Sequence, residues 1–274
     1  MLALYVVATP IGNLEDVTLR AIRVLKEVRL IAAEDTRKTK RLLDHYGIHT
    51  PMTSYYEHNK MTKLGYLLRF LETADLALVS EAGMPGISDP GYELVVAAAR
   101  QGVQVVPIPG PSAIVAAVAA SGLPTDQFTY LGFLPRRKPE RLRLLEQIAQ
   151  EPRTMVAFEA PHRLTDTLRD MLEVLGNRRV SIVREMTKLH EEVFRGTTSE
   201  AIEHFQQPRG EFTIVVEGSQ KEAKPTLTAE IENEIVALQR QGVPAREAIA
   251  RLSAITGLPR KRLYQSWLEL KRDE

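Results

Sequence analysis

The sequence predicts an α/β fold with two α/β domains and a small helical appendage. Short apolar runs alternate with amphipathic segments of helical length from residue 4 to residue 217. In the first half of the chain the apolar runs lack polar alternation, which is typical of parallel strands covered on both faces. After residue 226 only helical patterns remain. A length of 274 residues accommodates two domains and a short third unit.

The first predicted domain covers residues 1–121. Its apolar runs predict strands at residues 4–8, 30–33, 75–79 and 103–108. Its helical patterns lie at residues 17–26, 36–46, 60–73, 92–101 and 113–120. In the first of these, Leu19, Ile22 and Leu25 recur every three residues and share one face. This alternation predicts a parallel sheet between two layers of helices.

A turn-rich segment at residues 121–124 leads into a second predicted α/β domain at residues 125–218. Its predicted strands are residues 128–132, 154–158, 180–184, 192–195 and 212–217. Its predicted helices are residues 140–150, 163–175 and 199–205. The third and fourth of these strands are expected to form a hairpin, because only a short polar segment separates them.

A predicted linker at residues 219–226 leads to a helical tail domain at residues 227–274. Three helices are predicted there, at residues 229–240, 245–256 and 259–271. Gly257 suits the end of one helix and Pro259 the start of the next. The last two helices resemble a helix-turn-helix unit, and the alternative is a plain helical cap.

The amino-acid composition excludes several classes of protein and of functional site. The chain is 44% hydrophobic and 26% charged, as in soluble proteins, and its net charge of +1 gives no global attraction to nucleic acid. The absence of cysteine excludes disulfides, thiolate metal sites and cysteine nucleophiles, and fits a reducing cytoplasm. No basic signal-peptide start and no apolar run of about 18 residues is found, so a cytoplasmic protein without a membrane span is expected.

Six loops follow predicted strands directly, and ligands bind at that edge of open α/β sheets. They are residues 9–13, 34–37, 80–91, 109–113, 159–163 and 185–188. The third has three glycines and two prolines, which fix the backbone and leave room for a ligand. Together the loops predict a site that holds a nucleoside-like cofactor through backbone groups. The alternative for any single loop is that its glycines and prolines only turn the chain.

The common nucleotide and hydrolase motifs are missing. The sequence has no G-x-x-x-x-G-K-[ST], no G-x-G-x-x-G after the first strand and no G-x-S-x-G elbow. His45 and His49 are four residues apart, but Gly47 lies between them, so no metal site is predicted.

Eight segments carry a resemblance to a known family. They are VATPIGNLED at 7–16, AEDTR at 33–37, VSEAGMPGISDPG at 79–91, PIPGPSA at 107–113, GFLP at 132–135, FEAPHR at 158–163, REMTK at 184–188 and GEFT at 210–213. On these motifs the chain resembles the tetrapyrrole methylase superfamily of S-adenosylmethionine-dependent enzymes. Within it, the chain is most similar to members that methylate a ribose 2′-hydroxyl of small-subunit ribosomal RNA. The first-turn and 80–91 loops differ from those of the porphyrin-modifying members, which disfavours a small tetrapyrrole substrate.

The resemblance implies that S-adenosylmethionine lies in a cleft between the two α/β domains. The first domain would contact it through Pro10, Glu81, Ala82, Gly83, Met84, Ser112 and Ala113. The second domain would contact it through Met186, Glu211, Phe212 and Thr213.

Acidic residues in the loops that should face this cleft are candidates for removing a proton from the hydroxyl or orienting it. They are Glu34, Asp35, Glu81 and Asp89, with Arg37 as a possible phosphate clamp. Two alternatives stay open: Asp89 precedes a proline and could only cap its loop, and Glu34 could pair with Arg37.

Two basic stretches are candidates for binding RNA phosphates. Residues 136–143 have five Lys or Arg against one Glu, and residues 240–272 have eight against two. The predicted contacts are Arg136, Arg137, Lys138, Arg260, Lys261 and Arg262. The alternative is that these are solvated helix faces.

The resemblance also implies the partners. The target would be a decoding-region cytidine of 16S ribosomal RNA, methylated in the assembled small ribosomal subunit by a homodimer. Two other functions are weighed against this one: a carbon-methylating tetrapyrrole enzyme, and a non-enzymatic nucleic-acid-binding protein that uses the tail.

Overall fold

A computed structural model of the protein describes residues 2–220 and 227–270. The chain forms two compact units, Met1–Gly218 and Ser219–Glu274. The first unit contains two five-stranded sheets with their helices, and the described part of the second contains helices only. Most of the predicted linker, residues 221–226, lies outside the described residues.

The first sheet is entirely parallel, as predicted. Its strand order is β3-β2-β4-β1-β5. The strands are β1 (Ala3–Val7), β2 (Leu30–Ala33), β3 (Met52–Ser54), β4 (Leu76–Val79) and β5 (Gln104–Ile108). Strand β3 was not predicted, because it has only three half-buried residues and pairs only with β2 at the sheet edge.

Helices cover both faces of this sheet, which confirms the expected layering. They are α1 (Leu19–Glu27), α2 (Thr36–His45), α3 (Lys60–Leu71) and α4 (Tyr92–Arg100). The fifth helix, α5 (Ala113–Ser121), packs elsewhere. On one face, Leu25 of α1 packs with Ile31 and Ala77 of the sheet. On the other face, Leu67 of α3 and Leu94 of α4 join a separate cluster of buried residues.

The second sheet is mixed, with the order β6-β7-β10-β8-β9. Its strands are β6 (Phe128–Phe133), β7 (Thr154–Glu159), β8 (Arg179–Arg184), β9 (Glu192–Thr197) and β10 (Phe212–Val216). Only β6 and β7 are parallel, and the predicted hairpin of β8 and β9 is confirmed. The accompanying helices are α6 (Lys138–Gln147), α7 (Pro161–Leu175) and α8 (Thr198–His204).

Helix α5 joins the two sheets. By chain order it follows β5 of the first sheet, yet its buried Ala117 and Val118 pack against Val156, Val183 and Val215 of the second sheet. At the carboxyl end of α5, the guanidinium of Arg195 on β9 donates to the Ala120 carbonyl, with Nε 3.2 Å away. This packing brings loops of both sheets around one shared cleft.

The tail unit contains the three predicted helices, α9 (Ala229–Arg240), α10 (Ala245–Thr256) and α11 (Arg260–Leu270). Residue 271, predicted as the end of the last helix, lies outside the described residues. Gly257 has a left-handed backbone (φ +71°), which ends α10 three residues before α11 begins. The helices enclose their own apolar core, which includes Ile235, Leu252 and Trp267. In the described ranges, no helix has the length and apolar character to span a membrane.

Candidate active site

A cleft of about 400 Å³ lies where loops of the two sheets meet. Nine of the predicted cofactor contacts line it. They are Glu81, Ala82, Gly83, Met84, Ser112, Ala113, Glu211, Phe212 and Thr213. Three of the four predicted acidic candidates, Glu34, Glu81 and Asp89, also line it. The loops at residues 80–91, 109–113 and 159–163 therefore form walls of a single cavity.

The loop at residues 80–91 is fixed at both ends by its backbone. Near its start, Thr9 and Gly83 exchange two backbone hydrogen bonds with N···O distances of 2.9 and 3.0 Å, which tie it to the loop after β1. At its end, Gly91 has φ +152°, and a Cβ there would lie 3.0 Å from Leu78 Cδ2 and 3.1 Å from Gly86 N. A side chain at position 91 would therefore collide with the core and strain the backbone.

The cleft is acidic. Five carboxylates line it, and none of the lining residues within the described chain is Lys, Arg or His. The five are Glu34, Glu81, Asp89, Glu159 and Glu211. Three of them pair with cations: Glu81 with Lys38, Glu159 with Arg163, and Glu211 with Lys188, the last at 2.8 Å. The ion pairs of the described residues include neither Glu34 nor Asp89, so an uncompensated negative field remains in the cleft.

Asp89 is the most perturbed carboxyl group of the cleft. Burial, followed by the negative charges of Glu34 and Glu81, raises its pKa to about 7, against the opposing effect of a hydrogen bond with the Ser80 side chain. At neutral pH this group is close to half ionised, so it can exchange a proton with a bound hydroxyl. The carboxyl group of Asp89 bonds to Ser80 of its own loop and also lines the cavity.

Asp35 lies outside the cleft lining and caps a helix instead. Its carboxylate accepts the backbone N–H of Arg37 at 2.8 Å and of Lys38 at 3.3 Å, at the start of α2. The Arg37 side chain donates to it as well, and this hydrogen bond is the main cause that lowers the pKa of Asp35. Arg37 therefore pairs with Asp35 rather than with Glu34, and its side chain is 89% exposed.

Two predicted cofactor contacts, Pro10 and Met186, are not among the lining residues. Pro10 is half-buried between Thr9, which bonds to Gly83, and Ile11, which does line the cleft. Met186 packs against the apolar cluster beneath α5. The residues on either side of Met186, Glu185 and Thr187, both have positive φ (49° and 67°).

Lys188 ends the predicted loop at residues 185–188 but was not named as a site residue, and it fixes the loops of the second sheet beside the cleft. Its Nζ donates to Glu185 Oε1 at 3.0 Å and to Glu211 Oε2 at 2.8 Å. Its side chain also packs on the loop after β1, where a Cβ on Gly12 would lie only 2.6 Å from Lys188 Cγ. A residue larger than glycine at position 12 would therefore displace this lysine.

Nine further lining residues were not named individually by the sequence-based prediction, although six of them lie in the predicted loops at residues 9–13, 80–91 and 159–163. They are Ile11, Ile87, Ser88, Ile114, Phe133, Phe158, Glu159, Ala160 and Pro161. Phe133 and residues 158–161 belong to the GFLP and FEAPHR segments, which would have indicated them. Most are apolar, and an apolar residue at the end of a strand has the same sequence pattern whether it faces a core or a ligand.

The predicted RNA contacts are exposed in both units. Arg136 and Arg137 precede α6, and Lys138 begins it. Arg137 lies 3.6 Å from Glu140, and Lys138 lies 3.3 Å from Asp170. In the tail, exposed cations open α11, namely Arg260, Lys261 and Arg262. Cations at a helix N-terminus oppose the helix dipole, so helix stability does not explain their placement.

Comparison with known proteins gives the family. The model of the tetrapyrrole (corrin/porphyrin) methylases matches residues 3–202. The chain belongs to the tetrapyrrole methylase family. This membership confirms the resemblance seen in the sequence motifs and the predicted fold class.

Within this family, the chain is similar to curated relatives that share one name. A Halalkalibacterium halodurans protein named ribosomal RNA small subunit methyltransferase I is 49% identical over 272 residues, covering 95% of this chain and 93% of the relative. A Thermotoga maritima protein of the same name is 53% identical over 220 residues, covering 79% of this chain and 99% of the relative. A solved structure of diphthine synthase superposes with a TM-score of 0.59 at 12% identity, covering 79% of this chain and 90% of that one, and shows the shared fold.

Proposed function

We propose that this protein is an S-adenosylmethionine-dependent methyltransferase that 2′-O-methylates the ribose of a decoding-region cytidine in 16S ribosomal RNA. The name shared by the relatives supports the small-subunit RNA as substrate. The structural observation that carries the proposal is the acidic cleft with Asp89 in its wall, together with the exposed cations at residues 136–138, which follow the lining residue Phe133 in the chain. Such a site combines a group for proton removal with a surface for RNA phosphates.

The residues of the cleft fit S-adenosylmethionine. That molecule has a sulfonium, an ammonium and a carboxylate, and so a net positive charge. The cleft has two carboxylates that form no ion pair in the described chain, Glu34 and Asp89, to face the two cationic groups. A cavity of about 400 Å³ is within the usual range for small-molecule sites. The loops at residues 81–84 and 211–213 border it from opposite sheets and would hold the cofactor.

When bound, S-adenosylmethionine supplies an activated methyl group, so the protein has mainly to align the reacting atoms and remove the hydroxyl proton. Asp89 would accept the proton that the ribose 2′-hydroxyl loses on methylation, and the cofactor, having given up its methyl group by cleavage of the sulfur–carbon bond, would leave as a neutral thioether. A carboxylate with a pKa of about 7 is a much stronger base than an ordinary aspartate and is still largely ionised above neutral pH. Glu34 and Glu81 contribute indirectly, because their charges raise the pKa of Asp89.

The proposal divides the recognition of RNA between two exposed basic segments. Arg136, Arg137 and Lys138 lie just beyond Phe133, which lines the cleft, so they would hold phosphates near the reacting nucleotide. Arg260, Lys261 and Arg262 would hold phosphates elsewhere on the small subunit. The family resemblance further implies a homodimer and a cytoplasmic location, and both stay predictions.

The decisive experiment supplies labelled S-adenosylmethionine and small ribosomal subunits that lack the modification. We expect label on the ribose of one decoding-region cytidine, mapped by mass spectrometry of nuclease fragments. Label on a base, or S-adenosylmethionine binding without transfer to the subunit, would contradict the proposal. A parallel reaction with a porphyrin-like acceptor tests the tetrapyrrole alternative, and failure to bind S-adenosylmethionine would favour the non-enzymatic one.

A further inference from the structure

Two apolar side chains form opposite lips of the cleft. Ile87 comes from the loop at residues 80–91 of the first sheet, and Phe133 is the last residue of β6 in the second. Both line the cavity, yet Ile87 is 46% exposed and Phe133 is 58% exposed. They therefore lie at the mouth of the cleft, with apolar surface open to the solvent.

A hydrogen bond between the two sheets holds these lips close together. The side chain of Ser88, next to Ile87, bonds to the hydroxyl of Tyr130 with an O···O distance of 2.6 Å. A Cβ on Gly132, the neighbour of Phe133, would lie 3.8 Å from Ser88 Oγ. Ser88 has φ +64°, a backbone conformation that costs free energy outside glycine and persists when the surroundings impose it.

The position of the Phe133 ring is fixed by its neighbours. It packs against Phe158 with ring centroids 5.4 Å apart and planes inclined by 55°. The next two carbonyls are anchored as well: Leu134 accepts from Arg163 Nη1, and Pro135 accepts from Arg141 Nη1, both at 3.2 Å. Phe133 is thus held in place on one side while more than half of it stays accessible.

The size of the cavity limits what it can hold. About 400 Å³ is near the lower end for small-molecule sites, so a bound cofactor leaves little room for a second nucleoside. If a ribose oxygen is to reach Asp89, the attached base has to remain at the mouth. There it meets the two apolar lips, with exposed Arg136 and Arg137 a few residues beyond Phe133.

From this arrangement we propose that Phe133 and Ile87 clamp the base of the nucleotide whose ribose is methylated, with the base stacked on the Phe133 ring. The inference rests on the proposed function and names the residues that hold its substrate. Sequence-specific RNA-binding proteins commonly stack unpaired bases on aromatic side chains, and Arg or Lys residues nearby hold the adjoining phosphates. The occupant is therefore an unpaired base of single-stranded RNA.

The test compares variants at the two ends of the same strand. Phe133→Ala removes the stacking ring, and Phe128→Ala is the matched control, because Phe128 begins β6, is 37% exposed and does not line the cleft. We expect Phe133→Ala to lower kcat/KM for small subunits by about 5- to 150-fold, the range found when a stacked base loses its aromatic partner. Phe133→Tyr keeps the ring and should therefore retain most of the parent kcat/KM.

Two further measurements separate stacking from other roles. The dissociation constant of S-adenosylmethionine, from calorimetry, should be the same in Phe133→Ala and the parent protein. Ile87→Ala should lower kcat/KM in the same direction but less, because it removes only the aliphatic lip. Circular dichroism of each variant checks that the sheets are intact.

The outcomes are distinguishable. If the parent protein methylates the subunit and Phe133→Ala matches Phe128→Ala, the clamp is wrong while the proposed function stands. If Phe133→Ala instead loses S-adenosylmethionine binding, Phe133 belongs to the cofactor site and the clamp is again wrong. If the parent protein methylates no subunit RNA, the proposed function fails, and the clamp fails with it.

Discussion

The two units of this protein differ in where they place charge. In the unit Met1–Gly218, five carboxylates line a cleft between two sheets. In the tail unit, a small apolar core supports helices whose last member opens with three exposed cations. The Thermotoga maritima relative matches 79% of this chain with 99% of its own length, so about a fifth of this chain has no counterpart in it. We infer that the chemistry belongs to the two-sheet unit and that the tail adds RNA affinity.

The largest effect should come from the cleft. Asp89→Asn removes the proposed base without changing its size, and we expect kcat to fall by about 10²- to 10⁴-fold. In the parent protein, kcat/KM should rise as pH increases through about 7, because Asp89 must be ionised to accept a proton. Steady-state kinetics with small subunits across pH 5.5–9 would measure both effects.

Asp35→Asn is the control for that variant. Asparagine caps a helix about as well as aspartate, so the cap on α2 and the methyl transfer should both survive. Equal losses in the two variants would mean that acidic charge near the cleft, rather than proton removal by Asp89, supports the reaction.

The next effect concerns stability within the two-sheet unit. Arg141 and Asp170 form a buried ion pair at 2.6 Å, with side chains 5% and 3% exposed. Arg141→Leu leaves Asp170 with only the more distant Lys138, and we expect a loss of about 3–5 kcal/mol in the free energy of unfolding. Urea denaturation measures this value. Replacing both residues by leucine should recover much of it, since no buried charge then remains; the absence of any recovery would contradict this explanation.

A smaller effect is expected from the tail. Reversing the charges of Arg260, Lys261 and Arg262 should weaken small-subunit binding and reduce the slope of log K against log salt by about 2–3. S-adenosylmethionine affinity should not change. The matched control reverses three exposed cations of α1, Arg20, Arg23 and Lys26. If the control weakens binding as much, net charge rather than the tail governs RNA affinity.

The smallest expected effect is on stability, and it again concerns Asp89. Its pKa is higher in the folded protein than the ordinary 3.8, so the folded state binds this proton more tightly than the unfolded state does. Stability attributable to Asp89 is therefore greatest below about pH 4 and falls as pH rises to about 7. Above pH 7, Asp89→Asn should be more stable than the parent by about 1–2 kcal/mol, a value reduced for partial solvent exposure. Denaturation at pH 4 and pH 8 would show whether the difference appears only at the higher pH.

Much of the fold could be predicted because its signals are local. The buried strands β1, β2 and β4 are continuous apolar runs, and their helices have clear three- to four-residue spacing. Strand β3 could not be found this way, since its three residues are stabilised by pairing with β2 rather than by their own pattern.

The candidate site shows the same limit. Glycine- and proline-rich loops correctly indicated the cleft walls, but acidic residues within them could not be sorted by composition. Asp35 did have a distinguishing signal, because it directly precedes a predicted helix and so occupies a capping position. Met186 had none, since an apolar residue after a strand has the same sequence pattern whether it packs in a core or faces a ligand, and in the structure it packs against the apolar cluster.

The packing of α5 has a consequence for turnover. This helix follows a strand of one sheet and packs on the other, so the chain passes between the sheets at residues 109–112. A rotation of one sheet against the other would bend this short segment and leave the apolar contacts of α5 intact, because those contacts are all with the second sheet. The segment at residues 109–112 is therefore where the backbone would absorb any opening of the cleft for cofactor entry and product departure. We expect amide hydrogens of α5 to exchange slowly in hydrogen-exchange experiments, since the second sheet covers its apolar side.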